Sequence, residues 1–309
     1  MASEEVWTLD NFITQDVLGT GSYSQVDKSK SNATGVTYAI KCIHKLHLVK
    51  HKKVKYASIE RDAMQKLQAA DGFPQRNGRC CVQLFATLQD RDSLYFIMEY
   101  VPNGDLLQLI RDKPTVAQDE SVIAYLASQL VDSIRFIQSE GVIHRDIKPE
   151  NILFSKDWTI KLADFGSAKI LPLEENNSIS EYPLLTRCKS FVGTAEYVSP
   201  ELLLLGYVDY RCDYWSMGCI LYHLIFGTPL FKGKSEYLTF KLITDSDGVD
   251  FPSDNVSPSL EDLISSILIK NMDKRLTPEQ IMDHTFFKEH SIDFNDLTTI
   301  WTPRPEYFN

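Results

Sequence analysis

An α+β chain of two unequal lobes is the fold class that this sequence predicts, and three observations predict it. Roughly the first hundred residues alternate short β-prone runs with glycine and polar turns. After Pro102-Asn103-Gly104 the apolar spacing changes to steps of three and four, the period of an amphipathic helix. The chain has 309 residues, 43% hydrophobic and 24% charged, which is enough to fill a core in each lobe. The expected organisation is a small strand-rich lobe over 1–101, a larger helical lobe over 102–288 and a short extension over 289–309. No internal repeat and no low-complexity linker interrupts it.

The elements follow in order. Val17 and Leu18 lead into the glycine loop Gly19-Thr20-Gly21-Ser22-Tyr23-Ser24, and a polar turn at Ser31 to Gly35 precedes the β-prone run Val36 to Lys41. Two β-prone runs around a glycine loop predict a hairpin. A dinucleotide-binding glycine loop would instead have to open a helix. Ile59 to Leu67 reads as a helix, Asp71 to Arg79 as a loop, and Leu94 to Tyr100 as a further strand. Ile123, Leu126, Leu130, Ile134 and Ile137 mark one helix face, and Gly141 stands where a glycine C-cap belongs. Glu174 to Tyr182 reads as a polar loop, and Asp213 to Phe226 and Leu260 to Lys270 as helices.

Composition excludes several function classes. A formal net charge of -10 argues against nucleic acid as a partner. The basic run from Lys41 to Lys55 departs from that mean, and taken alone it reads as a solvated helix face. Cys42, Cys80, Cys81, Cys188, Cys212 and Cys219 show neither metal-ligand spacing nor a disulfide framework. The acidic start MASEEVWTLD lacks the apolar core of a leader. The apolar stretch Trp215 to Phe231 is broken by His223, Gly227 and Pro229, so it reads as a buried helix and not an integral membrane segment. A soluble cytoplasmic protein with reduced thiols is the expectation.

The chemistry concentrates in HRDIKPEN, His144 to Asn151, and in Asp164-Phe165-Gly166. An aspartate able to take a hydroxyl proton, together with hard oxygen donors on Asn151 and Asp164, suits phosphoryl transfer from a magnesium-bound nucleotide. Lys41 adds a cation and Glu60 an acidic partner to hold it, although either alone would be an ordinary surface pair.

In these motifs the chain resembles a eukaryotic Ser/Thr protein kinase, over nearly its whole length. Gly19, Gly21 and Ser24, followed by Val26, resemble the family's GxGxxGxV, with serine in place of the third glycine. The resemblance implies the bilobal protein-kinase fold, and ATP and Mg²⁺ as cofactors. It implies Asp146, Lys148, Lys41 and Glu60 as catalytic residues, and Asn151 and Asp164 as magnesium ligands. Leu18, Gly19, Gly21, Ser22, Val26, Ala39, Met98, Glu99, Val101, Asp105, Glu150 and Leu153 complete the nucleotide contacts. Within that set, Met98 is the gatekeeper, Glu99 and Val101 offer hinge backbone groups, and Asp105 meets the ribose. Met64, Leu84, His144 and Phe165 match a stacked spine, Asp213 an anchor for the catalytic loop, and Glu201 with Arg275 a structural pair.

Ser190 to Leu202 (SFVGTAEYVSPEL) is similar to the activation segment of phosphoinositide-dependent kinases of the AGC group. That similarity implies Ser190 as an autophosphorylation site whose phosphate meets Arg145 and Lys169. It implies AGC-type kinases as substrates, and a docking pocket for their phosphorylated hydrophobic motif. The pocket comprises Lys45, Leu48, Val49, Val54, Arg61, Thr87, Gln89, Leu94 and Phe96. The acidic, apolar Glu4-Glu5-Val6-Trp7 stands where that group has a basic residue, which predicts weaker phosphate affinity. Residues 289–309 are too few for a pleckstrin-homology domain, so no lipid-binding domain is expected in this chain. Two alternatives stand beside this reading: a different AGC-like or calcium/calmodulin-type kinase, and a pseudokinase scaffold.

Overall fold

Five antiparallel strands build the smaller lobe: β1 (Phe12–Thr20), β2 (Ser24–Ser31), β3 (Thr37–His44), β4 (Leu84–Gln89) and β5 (Ser93–Glu99), in the order β1-β2-β3-β5-β4. The computed structural model describes residues 7–21, 24–70, 80–171, 186–187, 195–204, 207–252 and 255–308. The loops expected at Asp71 to Arg79 and Glu174 to Tyr182 lie outside these residues. β1 and β2 form the expected hairpin, with Gly19 opposite Val26 and the Gly21 N–H donating to Ser24 O at 2.7 Å.

The pleat of β3 sorts its side chains. Ala39 and Ile43 join the main core, while Tyr38 and Ile40 turn outward into a second apolar cluster with Ile97. Trp7 and Phe12 cap that outer face, their rings 5.5 and 5.7 Å from Tyr38. The basic run folds into a short helix, α1 (Lys45–Lys50), ahead of α2 (Val54–Gln68). α2 buries Ala57, Glu60, Ala63, Met64 and Leu67, one face of a helix, against the sheet and the Phe165 turn.

In the larger lobe, Asp105 caps α3 (Leu106–Asp112) by accepting the Gln108 N–H at 2.8 Å. Asp119 caps α4 (Glu120–Ser139), and Gly141 follows it at φ 70°, the left-handed conformation that a glycine adopts without strain. Two short ladders lie between the lobes: β6 (Val142–Ile143) with β9 (Lys169–Ile170), and β7 (Ile152–Phe154) with β8 (Ile160–Leu162). Then come α5 (Pro200–Leu204), α6 (Arg211–Phe226), α7 (Glu236–Asp245) and α8 (Pro258–Ile267). α6 is buried on nearly every side, as its all-round apolar sequence requires. A Cβ on Gly218 would meet Ile267 and Leu268 at 2.9 Å, so glycine sets the closeness of that packing.

The last described residues pack on the larger lobe through α9 (Leu297–Trp301). Trp301 Nε1 donates to Asp132 at 2.8 Å, and Phe308 stacks on Trp158 at 4.7 Å. Among the described residues, no helix is long and apolar enough to cross a membrane.

Candidate active site

Strand alternation and helix periodicity bring Lys41 and Glu60 together. Lys41 lies on the inward side of β3 and Glu60 on the buried face of α2, with Nζ to Oε1 at 2.6 Å. The two residues are only 9% and 3% exposed. A second carboxylate, Asp164, reaches the same ammonium at 3.3 Å, and its side chain is 48% exposed to the cleft. Burial opposes the charge on Lys41, but Glu60 and Asp164 outweigh it, and the lysine pKa rises. Burial raises the Glu60 carboxyl against the pull of Lys41. The Lys41 charge holds Asp164 below the ordinary carboxylate range against its partial burial, so it stays ionised.

The loop after β6 is hung from α6. Asp213 accepts the backbone N–H groups of His144 and Arg145, both at 2.8 Å, and Arg145 is held at φ 65°. A non-glycine residue there costs roughly 1–2 kcal/mol, offset by these two charge-assisted bonds. His144 Nδ1 accepts the Asp146 N–H at 3.3 Å, so Nε2 carries the proton donated to Ala163 O at 3.0 Å. Its ring lies 4.8 Å from Phe165, and Met64 and Leu84 are buried in the same core.

Asp146, Lys148 and Asn151 form the second cluster. Lys148 Nζ reaches Asp146 Oδ2 at 3.0 Å, and Asn151 Nδ2 donates to Asp146 O at 2.8 Å. Because the Asn151 nitrogen is held by Asp146, its amide oxygen is left for another donor or a cation. Asp164 sits at φ 60°, and a Cβ on Gly166 would stand 3.2 Å from its Oδ1, so a glycine follows the Phe165 turn. Two hard oxygen ligands plus substrate phosphates are the usual holding set for Mg²⁺, and Asn151 and Asp164 fit it. Among the described residues no group of three or more His, Cys, Asp or Glu forms a metal site by itself.

The sequence matches the family model of the protein kinase domain over residues 12–287. The chain belongs to the protein kinase family. The kinase is 46% identical over 299 residues to serine/threonine-protein kinase PKH2 of Saccharomyces cerevisiae, which covers 96% of this chain and 26% of that protein. PKH1 of the same yeast is 42% identical, over 96% of this chain and 37% of that protein. A putative 3-phosphoinositide-dependent protein kinase 2 of Homo sapiens is 37% identical, over 91% of this chain and 66% of that protein. The chain thus spans about a quarter to two fifths of these yeast relatives. These similarities agree with the resemblance drawn from the motifs.

The other residues that the motifs implicate in nucleotide contact lie on β1, β2, β3 and β5 and in the segments after β5 and at β7. Met98 faces Ala39 across the β3–β5 ladder, and Asp105 bridges Leu153. Val26 pairs with Lys41, and Leu18 and Gly19 lie exposed on β1, with Val101 just beyond β5. Ser22 lies outside the described residues. Two placements add detail to the reading of the motifs. The Glu99 N–H is taken by Gln83 O at 2.9 Å, so only its carbonyl remains for a base, while its carboxylate pairs with Lys161 at 2.8 Å. Glu150 is exposed and lines a cleft of about 370 Å³ with Glu196, Tyr197 and His223. The Lys161 partner of the hinge went unread in the sequence; its position in a strand beside the apolar Ile160 and Leu162 was the available signal.

Arg145 and Lys169 lie at one corner, Lys169 opposite Ile143 in the β6–β9 ladder and Arg145 donating to Ser167 O and Ala168 O at 2.7 and 3.2 Å. Ser190 and Cys188 lie outside the described residues. Around α1, Leu48 and Phe96 are core residues, while Val49, Val54, Thr87 and Gln89 are exposed and Leu94 is half-buried between them. Lys45 Nζ reaches Gln89 Oε1 at 3.1 Å, and Arg61 pairs with neighbouring Asp62 at 2.7 Å. An incoming phosphate would compete with both contacts.

Proposed function

We propose that this chain is an active Ser/Thr protein kinase that transfers the γ-phosphoryl group of ATP to activation loops of AGC-type kinases. The observation that carries the reading is the convergence of Lys41, Glu60 and Asp164 on one side of the cleft with Asp146, Lys148 and Asn151 on the other. A loose phosphoryl-transfer transition state needs positioning and charge neutralisation more than covalent help. Lys41, fixed by Glu60, orients the nucleotide phosphates. Asp146 accepts the proton of the substrate hydroxyl as its oxygen bonds to the γ-phosphorus and the bond to the β–γ bridging oxygen breaks, releasing ADP. Lys148 steadies the transferred group. Asn151 and Asp164 would hold magnesium, whose charge offsets that of the phosphates when it is bound.

Substrate choice is part of the same proposal. Val49, Val54 and Leu94 offer apolar surface beside α2, and Lys45, Arg61 and Gln89 offer donors for a phosphate. Phosphorylation of Ser190 would add charge for Arg145 and Lys169 to hold. We also place the lobe division near residue 101.

The test is a paired-substrate assay with an AGC activation-loop peptide, alone and fused to a phosphorylated hydrophobic motif. The fused peptide should show a KM at least roughly tenfold lower. Leu94→Glu should erase that advantage while sparing the short peptide. Equal KM values would remove the docking reading but leave the kinase; no transfer to either peptide, with ATP bound, would remove the kinase reading.

A further inference from the structure

The amphipathic pattern of α7 runs the wrong way for a helix that only closes a lobe. α8 buries Leu260, Leu263, Ile264 and Ile267 and leaves Asp262 and Ser265 to water, as a helix packed on a core does. α7 buries Thr239 and Ile243 but exposes Tyr237, Leu238 and Leu242, Tyr237 by 73%. Leu204, at the end of α5, is 64% exposed, and α5 packs against α7. Among the described residues of the larger lobe, these four are the exposed large apolar side chains. Apolar surface gathered in one place, on a lobe that otherwise buries it, marks a surface that a partner covers.

The position of this face identifies the partner. Lys232 lines the cleft of about 370 Å³ together with Glu150, Glu196 and Tyr197. Glu150 belongs to the turn Pro149–Asn151, and Asn151 holds Asp146, so the cleft lies one turn along the chain from the group that accepts the hydroxyl proton. The cleft wall passes directly into α7. The Gly233 N–H donates to Thr239 Oγ1 at 3.0 Å, and a Cβ on Gly233 would stand 2.6 Å from the Thr239 nitrogen and 2.7 Å from Leu238. α7 also packs on the turn Ala195–Tyr197, which supplies Glu196 and Tyr197 to the cleft. A segment seated in the cleft is therefore flanked by the α7 face, and a folded domain that carries the segment is brought up against it. The rim of the face carries both signs, Lys234 and Lys241 against Glu236 and Asp245, which suits a protein surface better than an anionic membrane.

We propose that Tyr237, Leu238 and Leu242 of α7, with Leu204, dock the folded body of the protein substrate, the domain that presents the acceptor loop to the cleft. Tyr237 and Leu242 are the anchors, and the matching surface of the substrate is apolar with a polar rim. The proposal rests on the kinase reading above and adds to it a second substrate contact, separate from the pocket between α1 and α2.

The test compares two substrates that share one acceptor sequence: a catalytically inactive AGC-type kinase domain without its hydrophobic motif, and the isolated activation-loop peptide of that domain. Omitting the motif keeps the pocket between α1 and α2 out of the measurement. Leu242→Asp should raise the KM for the folded domain roughly tenfold or more, and Tyr237→Ala about fivefold, with kcat and the peptide KM unchanged. Leu242→Met, which keeps the apolar contact, should behave as the parent. Sedimentation of the parent and of Leu242→Asp at the assay concentration examines the other occupant, a second copy of this chain. An unchanged folded-domain KM in both variants overturns the proposal, and loss of self-association in that case assigns the face to a copy of the chain. Equal losses on domain and peptide also overturn it, since the face then serves the chain's own architecture. Transfer by the parent to neither substrate, with ATP bound, removes the kinase reading and this proposal with it, a failure distinct from any confined to the variants.

Discussion

In the smaller lobe Lys41 meets Glu60 through one contact at 2.6 Å and shares its charge with Asp164, whose carboxylate is half open to the cleft. In the larger lobe Arg275 meets Glu201 through two parallel bonds, both 2.9 Å, with side chains 0% and 2% exposed. The arginine is saturated further by Ile269 O and Arg211 O, each at 3.1 Å, and by the Trp215 ring at 5.0 Å. The difference lies in the cation. An ammonium is a point charge that can serve two carboxylates and still reach a phosphate, whereas a guanidinium fork closes on one partner and stays there. One pair is left open for chemistry and the other is closed for architecture.

The largest effect expected from breaking this contrast is kinetic. Lys41→Ala should lower turnover at least about a thousandfold, roughly 4 kcal/mol of transition-state stabilisation. Its cost in stability should be smaller, about 1–2 kcal/mol, because burial already favours the neutral acid at Glu60 and protonation relieves the unpaired charge. Steady-state kinetics beside a denaturant melt checks both halves, and a variant retaining a tenth of parental turnover would refute the role. Arg275→Met should show the reverse split. Glu201 is then stranded in the core, and stability should fall by about 3–5 kcal/mol, with activity lost only as the fraction unfolded rises. The double variant Arg275→Met with Glu201→Leu should recover much of that loss. If the double variant is no more stable than the single one, the stranded charge is not the cause.

The open pair was easier to read in the sequence than the closed one, for a physical reason. Lys41 and Glu60 sit in a strand and a helix whose periods predict an inward face, and the catalytic residues occupy loops where polar side chains have no packing role to disguise them. The β1–β2 hairpin followed from its glycines, and α4 from its spacing and Gly141. Other features depend on contacts between distant segments. Nothing local to Leu48 distinguishes its core position from that of exposed Val49, because α1 is too short to carry a periodic signal. The loss of the Glu99 N–H to Gln83, and the seating of Phe308 on Trp158, arise from tertiary packing alone.

A third buried group sharpens the comparison at a smaller scale, since His223 is held neutral where Lys41 and Arg275 are held charged. It is 4% exposed, and its Nδ1 accepts the Tyr197 hydroxyl at 2.9 Å. Burial lowers its pKa from 6.5 to about 4, Lys232 adding to the effect. Glu150 and Glu196 line the same cleft and do not reverse this direction. The unfolded chain therefore binds the proton first as pH falls. The sign follows: full stability contribution above about pH 6.5, progressive loss down to about pH 4, and roughly 2 kcal/mol lost by pH 5 from this group alone. His223→Gln keeps an acceptor for Tyr197 but cannot titrate. Its stability should drop less than the parent's between pH 7 and pH 5, by about that 2 kcal/mol, whatever its stability at pH 7. Urea unfolding of both proteins at the two pH values measures the difference, and parallel losses would mean that His223 is already protonated in the folded chain at pH 5 or that water reaches it.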